Sequence, residues 1–189
     1  MDGDRVALRY TRFRGMREMP RSTNKSRAEA LFIRADKQEE RGNLRSAFRL
    51  MLAAAKLGDI GAQVSVGNYY DDGKVLRRNR SAALYWYKRA YRRGCSYAAH
   101  NIGVLWRNEK KLKRSLSWFF RAVKLGDAEA NLEIGKYYLY NEDNPRKAVL
   151  YFERVKPSRW VSQYGVEEAA KLSQEAEQKL KPRSRPSAR

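Results

Sequence analysis

The sequence predicts an all-α fold built from repeated pairs of helices, and three observations lead to this prediction. Residues 50–70, 86–106 and 118–138 align with one another without gaps. Glycine, alanine and aromatic residues recur within them at steps of 36 and 32 residues. Apolar residues between these anchors follow the i, i+3, i+4, i+7 spacing of a helix with one buried face. Self-similarity at this period is typical of stacked helical repeats.

The recurring positions predict where the helices end. They are, in chain order, Ala54, Ala90 and Ala122; Gly58, Gly94 and Gly126; Ala62, Ala98 and Ala130; Gly67, Gly103 and Gly135; and Tyr70, Trp106 and Tyr138. The first glycine of each copy follows a helical stripe, which predicts a helix C-terminus that requires a positive φ. The next helix is expected to begin almost at once, after a tight turn.

Further helices are predicted on both sides of these copies. Upstream, residues 26–41 and 44–57 form a helix pair joined by an Arg-Gly-Asn turn. Downstream, residues 144–155 form one more helix, with Pro145 in its first turn. Pro157 then breaks the chain before a C-terminal capping helix within residues 163–180, which is amphipathic as the end of a repeat array requires.

Length and composition indicate how many domains the chain can form and which partners its charge favours. The 189 residues suffice for one domain, which we predict over residues 26–180, between mobile basic tails at 1–25 and 181–189. There are 41 Lys and Arg against 21 Asp and Glu, a formal charge of +20. Such a charge favours partners with acidic surfaces, either nucleic acid or an anionic protein.

Targeting signals and membrane segments are not apparent in the sequence. The longest stretch without a charge has 13 residues, short of the roughly 18 that indicate a membrane span. The N-terminal region lacks the apolar block of a secretory signal. A single cysteine, Cys95, excludes an intrachain disulfide and a multi-cysteine zinc site. We therefore expect a soluble cytoplasmic protein.

The sequence offers no catalytic constellation. Phosphate-binding glycine loops, nucleophile elbows and the HExxH metal motif are absent. His100 is the only histidine and has no ligand-spaced partner, so metal binding is not expected. Cys95 lies at a predicted helix N-terminus without an identifiable catalytic partner and is interpreted as an ordinary free thiol. The chain is therefore predicted to be no enzyme and to bind no cofactor.

Residues 62–126 carry a resemblance to a known family. The pattern of small, glycine and aromatic positions resembles the Sel-like repeat, a branch of the tetratricopeptide repeats. The residues that match are Ala62, Val66, Gly67, Tyr70, Gly73, Ala82, Ala83, Trp86, Tyr87, Ala90 and Gly94. The next repeat, with a loop four residues shorter, keeps Ala98, Gly103, Trp118, Phe119, Ala122 and Gly126. The first pair is more similar to an ordinary tetratricopeptide repeat, with Ala35, Gly42, Leu44, Ala47, Met51 and Ala54.

The resemblance, which covers roughly residues 26–156, implies a fold and a function. The fold would be a right-handed α-solenoid of stacked antiparallel helix pairs. The function would be that of a scaffold or adaptor, with the first helix of each pair lining a concave groove that binds a protein or peptide. In that register the groove residues are Phe32, Val64, Asn68, Tyr97, His100, Val104, Arg107, Leu132, Lys136 and Tyr140.

Aromatic rings and cations are interpreted differently. Tyr87, Trp118 and Phe119 recur beside small residues and are expected to fill space between helices. Two loops are predicted to share one electrostatic edge, formed by Lys74, Arg77, Arg78, Arg80, Lys110, Lys111, Lys113 and Arg114. This edge is either a solvated face or a site for phosphates or an acidic protein. The repeat leaves four cations unexplained: Lys88, Arg89, Arg92 and Arg93.

Three functions therefore remain as hypotheses. The leading one is an adaptor whose groove binds a protein or peptide, most favourably an acidic one. The alternative is a nucleic-acid-binding protein that uses the basic loops and the Arg-rich tails on phosphates. The third is attachment to an anionic membrane surface through the tails.

Overall fold

A computed structural model of the chain describes residues 23–158 and 161–181. Most of the two predicted tails, residues 1–22 and 182–189, lies outside the described residues. Within them the chain forms α1 (Thr23–Glu40), α2 (Leu44–Lys56), α3 (Ile60–Asp72), α4 (Arg80–Tyr91), α5 (Ser96–Asn108), α6 (Leu112–Lys124), α7 (Ala130–Tyr140), α8 (Pro145–Phe152) and α9 (Gln163–Leu180). We call α1, α3, α5 and α7 the first helices and α2, α4, α6 and α8 the second helices.

The chain divides into two compact units, and the boundary falls between Leu105 and Trp106 inside α5. In unit 1, which ends at Leu105, α2 packs against α1 and α3, and α3 packs against α4. In unit 2, which starts at Trp106, α7 packs against α6 and α8, and α8 packs against α9. Consecutive helices thus bury their apolar faces on one another, as the repeat pattern predicts.

Each unit has its own apolar core. That of unit 1 includes Phe32, Phe48, Met51, Val66 and Trp86. That of unit 2 includes Leu132, Leu139, Phe152, Val161 and Leu172. The predicted helix at 144–155 is confirmed as α8, which begins at Pro145, and the predicted last helix is confirmed as α9. The latter contributes Leu172 to the core of unit 2, so it covers the end of that unit.

The turns between successive pairs depend on a left-handed glycine. Gly58, Gly94 and Gly126 have φ of +100°, +84° and +93°, which confirms the predicted helix ends. Residues with a side chain rarely adopt this conformation, whereas glycine does so without steric cost. In the first of these turns Asp59 caps α3, because its carboxylate accepts a hydrogen bond from the backbone N–H of Ala62 at 2.7 Å.

The joint between the helices of a pair combines a glycine with an aromatic ring. A Cβ atom on Gly67 of α3 would overlap the ring of Tyr87 on α4, and one on Gly135 of α7 would overlap the ring of Phe152 on α8. Both rings are buried. Glycine therefore lets the ring of the second helix lie directly against the backbone of the first. The prediction that Tyr87 and Phe119 belong to the core is confirmed, while Trp118 is only half-buried.

Candidate partner-binding groove

The structure corrects three of the ten predicted groove residues. Phe32, Val64 and Leu132 expose only 1 %, 2 % and 5 % of their surface. Phe32 belongs to the core of unit 1 and Leu132 to that of unit 2. These apolar side chains lie on faces of the first helices that neighbouring helices cover, so they stabilise the fold and do not reach a partner.

Three other predicted groove residues lie together in unit 1. Asn68 of α3 and Tyr97 and Val104 of α5 line a hollow of about 250 Å³, which we call the polar hollow. Its other lining residues are Asp71, Asp72, Tyr87 and Asn101. His100 lies next to it, with its ring stacked on that of Tyr97 at a centroid distance of 6.3 Å. Three residues selected from their repeat positions thus line the same hollow in the structure.

Hydrogen bonds fix the floor of the polar hollow. The hydroxyl of Tyr87 donates to Oδ1 of Asn68 at 2.7 Å, and Nδ2 of Asn101 donates to the same oxygen at 3.0 Å. Burial raises the pKa of the Tyr87 phenol, so the hydroxyl remains a donor at neutral pH. The Asn68 carbonyl is thereby directed into the protein, and its amide nitrogen is directed away from these two donors.

The polar hollow is acidic although the whole chain is basic. Asp71 and Asp72 both line it, and only Asp71 has a described cation partner, Arg78 at 3.1 Å. Arg78 belongs to the predicted electrostatic edge and is exposed, so this pair is screened by water. The hollow therefore favours hydrogen-bond donors and positive groups.

Three further predicted groove residues lie together in unit 2. Arg107, Lys136 and Tyr140 line a second hollow of about 200 Å³, which we call the apolar hollow. Its floor includes the apolar side chains of Leu112, Leu116 and Phe119, and its remaining lining residues are Ser115, Glu133, Tyr137 and Asn141. An apolar floor with a polar rim is the usual anatomy of the centre of a protein interface.

Ion pairs and a hydrogen bond hold the rim of the apolar hollow in place, and two of these contacts are made with α9. Arg107 pairs with Glu133, and Nζ of Lys136 lies 3.6 Å from the carboxylate of Glu133 and 2.9 Å from that of Glu168. The hydroxyl of Tyr140 donates to Glu175 at 3.0 Å. The capping helix thus orients two of the predicted groove residues.

Sequence reasoning missed Glu168 and Glu175 as neighbours of the groove. The charged face of the last helix is visible in the sequence. Its position relative to Lys136 and Tyr140, however, depends on how α9 packs, which no spacing along the chain reveals.

The predicted electrostatic edge is distributed over both units. Lys74, Arg77, Arg78 and Arg80 belong to unit 1, and Lys110, Lys111, Lys113 and Arg114 belong to unit 2. All are exposed except Arg80, which is half-buried. Lys111 and Arg114 lie over the ring of Trp106, at 5.4 Å and 5.1 Å from its centroid. That the two loops share one edge remains a prediction.

The described part of the chain holds one thiol and no cluster of metal-binding side chains. Among residues 23–158 and 161–181, no cluster of His, Cys, Asp and Glu could hold a metal ion. Cys95 immediately precedes α5, as predicted, and exposes 1 % of its surface. Over the same residues, no helix is both long and apolar enough to cross a membrane.

The helix pairs and their glycine turns define an all-α helical-repeat solenoid of the tetratricopeptide-like class. Residues 37–59, 60–95, 96–127 and 128–154 match the model of the Sel1 repeat, and the chain belongs to the Sel1 repeat family. The first match includes α2, so this helix is also part of a Sel1 repeat and the likeness of its pair to an ordinary tetratricopeptide repeat is incomplete.

Relatives support this assignment at the level of fold. A Sel1-like repeat-containing protein of Acanthamoeba polyphaga mimivirus is 27 % identical over 85 residues, which are 45 % of this chain and 16 % of that protein. The crystal structure of a Sel1 repeat protein from Oxalobacter formigenes is similar with a TM-score of 0.59 and 25 % identity, over 80 % of this chain and 60 % of the other.

A protective antigen of uropathogenic Escherichia coli strains, displaying an SLR fold, is similar with a TM-score of 0.58 and 18 % identity, over 86 % of this chain and 50 % of the other. The chain spans less than two thirds of the length of each of these relatives. Proteins with Sel1 repeats generally mediate protein–protein interactions.

Proposed function

We propose that this protein is a non-enzymatic adaptor whose first helices bind a protein or peptide partner. The main support comes from the apolar hollow. Repeat register alone selected Arg107, Lys136 and Tyr140, and these residues surround one apolar floor. The polar hollow adds Asn68 and Tyr97 from the same set. In each unit, predicted groove residues from different helices thus meet at one concavity.

The size of the hollows favours a peptide over a small-molecule ligand. Their volumes are about 200 Å³ and 250 Å³, whereas typical small-molecule sites measure roughly 300–1,000 Å³. Hollows of this size accept single side chains of a partner. A peptide or helix that places one side chain in a hollow, with further contacts along the first helices of the same unit, would match known modes of peptide recognition.

The two hollows would select different side chains. The apolar hollow fits an aliphatic or aromatic side chain whose polar end reaches Arg107 or Lys136. The polar hollow, with Asp71 and Asp72, fits an amide, a hydroxyl or a cation. We therefore propose that an acidic partner, which the net charge favours, does not place its carboxylates in the polar hollow.

A display experiment with matched tyrosine variants tests this proposal. Peptides selected from a random library on the full chain are measured against wild type, Tyr140→Ala and Tyr164→Ala. Tyr140 is 54 % exposed at the apolar hollow, and Tyr164 is 72 % exposed on α9 outside both hollows. We expect Tyr140→Ala to weaken binding about tenfold or more, as for an aromatic interface residue, and Tyr164→Ala to leave it unchanged. Equal effects of the two variants would refute the groove assignment.

We also propose that the adaptor works in the cytoplasm. Its one cysteine, Cys95, has no second cysteine in the chain with which to form a disulfide. The fold therefore requires no oxidising compartment. Fluorescence microscopy of the full-length tagged protein, with a secreted control, would test the location.

A further inference from the structure

In the described part of the chain, the second helices carry positively charged residues and no negatively charged ones. Lys and Arg number three on α2, three on α4, four on α6 and two on α8, and these second helices contain no Asp or Glu. In the described chain every helical carboxylate lies on α1, α3, α7 or α9. A charge that served solubility alone would be spread over all exposed faces, so the sorting requires another explanation.

Nearly all of these second-helix cations reach solvent. Arg80 and Arg89 are half-buried. The exposed ones are Arg45, Arg49, Lys56, Lys88, Lys113, Arg114, Arg121, Lys124, Arg146 and Lys147. Arg92 and Arg93 continue the series directly after α4, and Arg154 does so after α8, where Glu153 is the one neighbouring carboxylate. We call this set the second-helix face.

An arginine lies over an aromatic ring at the same position of three consecutive repeats. In each case the arginine follows the aromatic residue by three positions. The pairs and their distances from guanidinium carbon to ring centroid are Arg89 over Trp86 at 5.6 Å, Arg121 over Trp118 at 4.7 Å and Arg154 over Tyr151 at 4.8 Å. Stacking restricts the guanidinium, and a further hydrogen bond holds it in two of the three cases: Arg89 donates to the hydroxyl of Tyr85 and Arg121 donates to Ser117. Each of these bonds uses one nitrogen of a group with five N–H donors, so the arginine is preorganised to bind an anion through the others.

In unit 2 cations of the second-helix face lie against a group of aromatic rings from α6, α7 and α8. Tyr138 and Tyr151 lie parallel with centroids 5.4 Å apart, and Phe120 of α6 meets Tyr151 edge-on at 6.0 Å. Lys147 lies over Tyr138 at 5.1 Å and Arg154 over Tyr151. Each tyrosine thus has a tyrosine on one side and a cation against it. Bases need free ring faces on which to stack, so this surface is arranged for phosphates rather than bases.

We propose that the second-helix face of each unit, taken by itself, binds the sugar-phosphate backbone of nucleic acid without base preference. Arginines held on rings match the geometry of phosphate oxygens, and the neighbouring lysines add affinity by releasing counterions. This face carries the four cations that the repeat pattern left unexplained: Lys88, Arg89, Arg92 and Arg93. None of its cations lines the polar or the apolar hollow, so it is available to a second partner.

The test is binding of a fluorescent 20-nucleotide oligothymidylate to the full chain, measured by anisotropy at several salt concentrations. The first variant, Arg89→Gln/Arg121→Gln/Arg154→Gln, removes one stacked arginine from each of three repeats. The second variant, Lys124→Gln/Arg146→Gln/Lys147→Gln, removes only exposed cations. It keeps the half-buried Arg89, so it should fold even if the loss of Arg89 in the first variant disturbs the structure. The control, Arg27→Gln/Arg34→Gln/Lys37→Gln, removes the same charge from exposed positions of α1. Both tails are present in all four proteins.

We expect both face variants to reduce the slope of log affinity against log salt by about 2, since a single strand releases about 0.7 counterion per phosphate contact. The control should change the slope by less than half as much. A strand of the same length without bases should bind within about threefold of the oligothymidylate, because the bases are not contacted.

Three results would overturn the proposal. The face variants and the control could lose affinity and slope equally, which would assign binding to net charge alone. The strand without bases could bind more than tenfold more weakly, which would show that bases stack on the protein. Polyglutamate could bind as tightly as the oligonucleotide, which would assign the face to an acidic protein.

Discussion

Units 1 and 2 share the same buried contact between a glycine and an aromatic ring, but the surface residues next to this contact differ. In unit 1 the joint is Gly67 against Tyr87, and in unit 2 it is Gly135 against Phe152. The residue after the glycine is Asn68 in unit 1, where it accepts hydrogen bonds in the polar hollow. In unit 2 it is Lys136, which lines the apolar hollow. The repeat therefore constrains the buried contact, and neighbouring surface positions are free to differ.

The turns within the helix pairs also differ between the units. In unit 1 the turns after α1 and α3 use Gly42 and Gly73, with φ of +76° and +69°. In unit 2 the corresponding turns after α5 and α7 place Lys110 and Asp143 at φ of +57° and +43°. Side chains are strained in this region. Unit 2 thus has charged side chains where unit 1 has the residue best suited to the turn.

The largest effect is expected when the shared joint is filled. Gly67→Ala and Gly135→Ala each force a methyl group into a buried ring, and we expect a loss of about 3 kcal/mol in the free energy of unfolding. Urea denaturation of each variant measures it. If the joint is equivalent in both units, the two losses should be similar.

A double variant provides the control for this effect. In Gly67→Ala/Tyr87→Leu a smaller side chain faces the new methyl group, so its loss should be smaller than the sum of the two single losses. A Gly67→Ala variant as stable as wild type would show that α3 and α4 are not in close contact.

A smaller effect is expected from the hydroxyl that distinguishes the joint of unit 1. Tyr87→Phe removes the bond to Asn68 and should cost about 1 kcal/mol. Tyr137→Phe in unit 2 removes the bond from an exposed hydroxyl to Glu142, 2.7 Å long, and should change stability by less than about 0.5 kcal/mol. Thermal unfolding of both variants provides the comparison, and equal losses would contradict a structural role for the buried hydroxyl.

The cap of α3 should make stability depend on pH. Burial raises the pKa of the Asp59 carboxyl above its ordinary value of 3.8, although the bond to the backbone N–H of Ala62 opposes this rise. The folded state therefore retains a proton that the unfolded state has already lost, and stability falls as pH rises from about 3.8 through the raised pKa. Asn is as good a cap and does not ionise.

Asp59→Asn should accordingly gain stability relative to wild type as the pH rises through that range. Asp59→Ala should lose about 1 kcal/mol at neutral pH because the cap is absent. Urea denaturation at pH 3 to 7 measures both variants. A constant difference between wild type and Asp59→Asn across the range would contradict the raised pKa.

The smallest effect concerns the strained turns of unit 2. Lys110→Gly should raise the free energy of unfolding by about 0.5 kcal/mol, because relief of the left-handed strain exceeds the added entropy of the unfolded chain. Gly42→Ala, at the corresponding turn of unit 1, should lower it by about 1 kcal/mol. Changes of the same sign in the two variants, measured by thermal unfolding, would refute this difference between the turns.

The sequence predicted the helix pairs and turns well, since these depend on local signals. Gly58, Gly94 and Gly126 mark helix ends because only glycine adopts their φ easily. It predicted the exposed positions of the first helices only in part, because register gives the direction of a side chain but not how far the next helix covers it, and the partner-binding groove itself stays a prediction. For this reason Asn68 and Tyr140 lie at hollows while Phe32, Val64 and Leu132 are buried.

Other features required the structure. The joint of Phe152 was missed because α8 lies after the three aligned copies. The absence of Asp and Glu from the second helices was missed because it becomes visible only when the helix boundaries are known. In the sequence alone, the most concentrated groups of cations lie in the loops. The contacts of Glu168 and Glu175 depend on the packing of α9, which is set by the core of unit 2 rather than by any motif.

The central claim is that first and second helices bind different partners, and NMR mapping on the isotopically labelled full chain tests it most directly. A peptide selected by display and the 20-nucleotide oligothymidylate are titrated separately. The account predicts that the peptide shifts the ring signals of Tyr97 or Tyr140, and that the oligonucleotide shifts the guanidinium signals of Arg121 and Arg154. Shifts of the same residues by both ligands would contradict it.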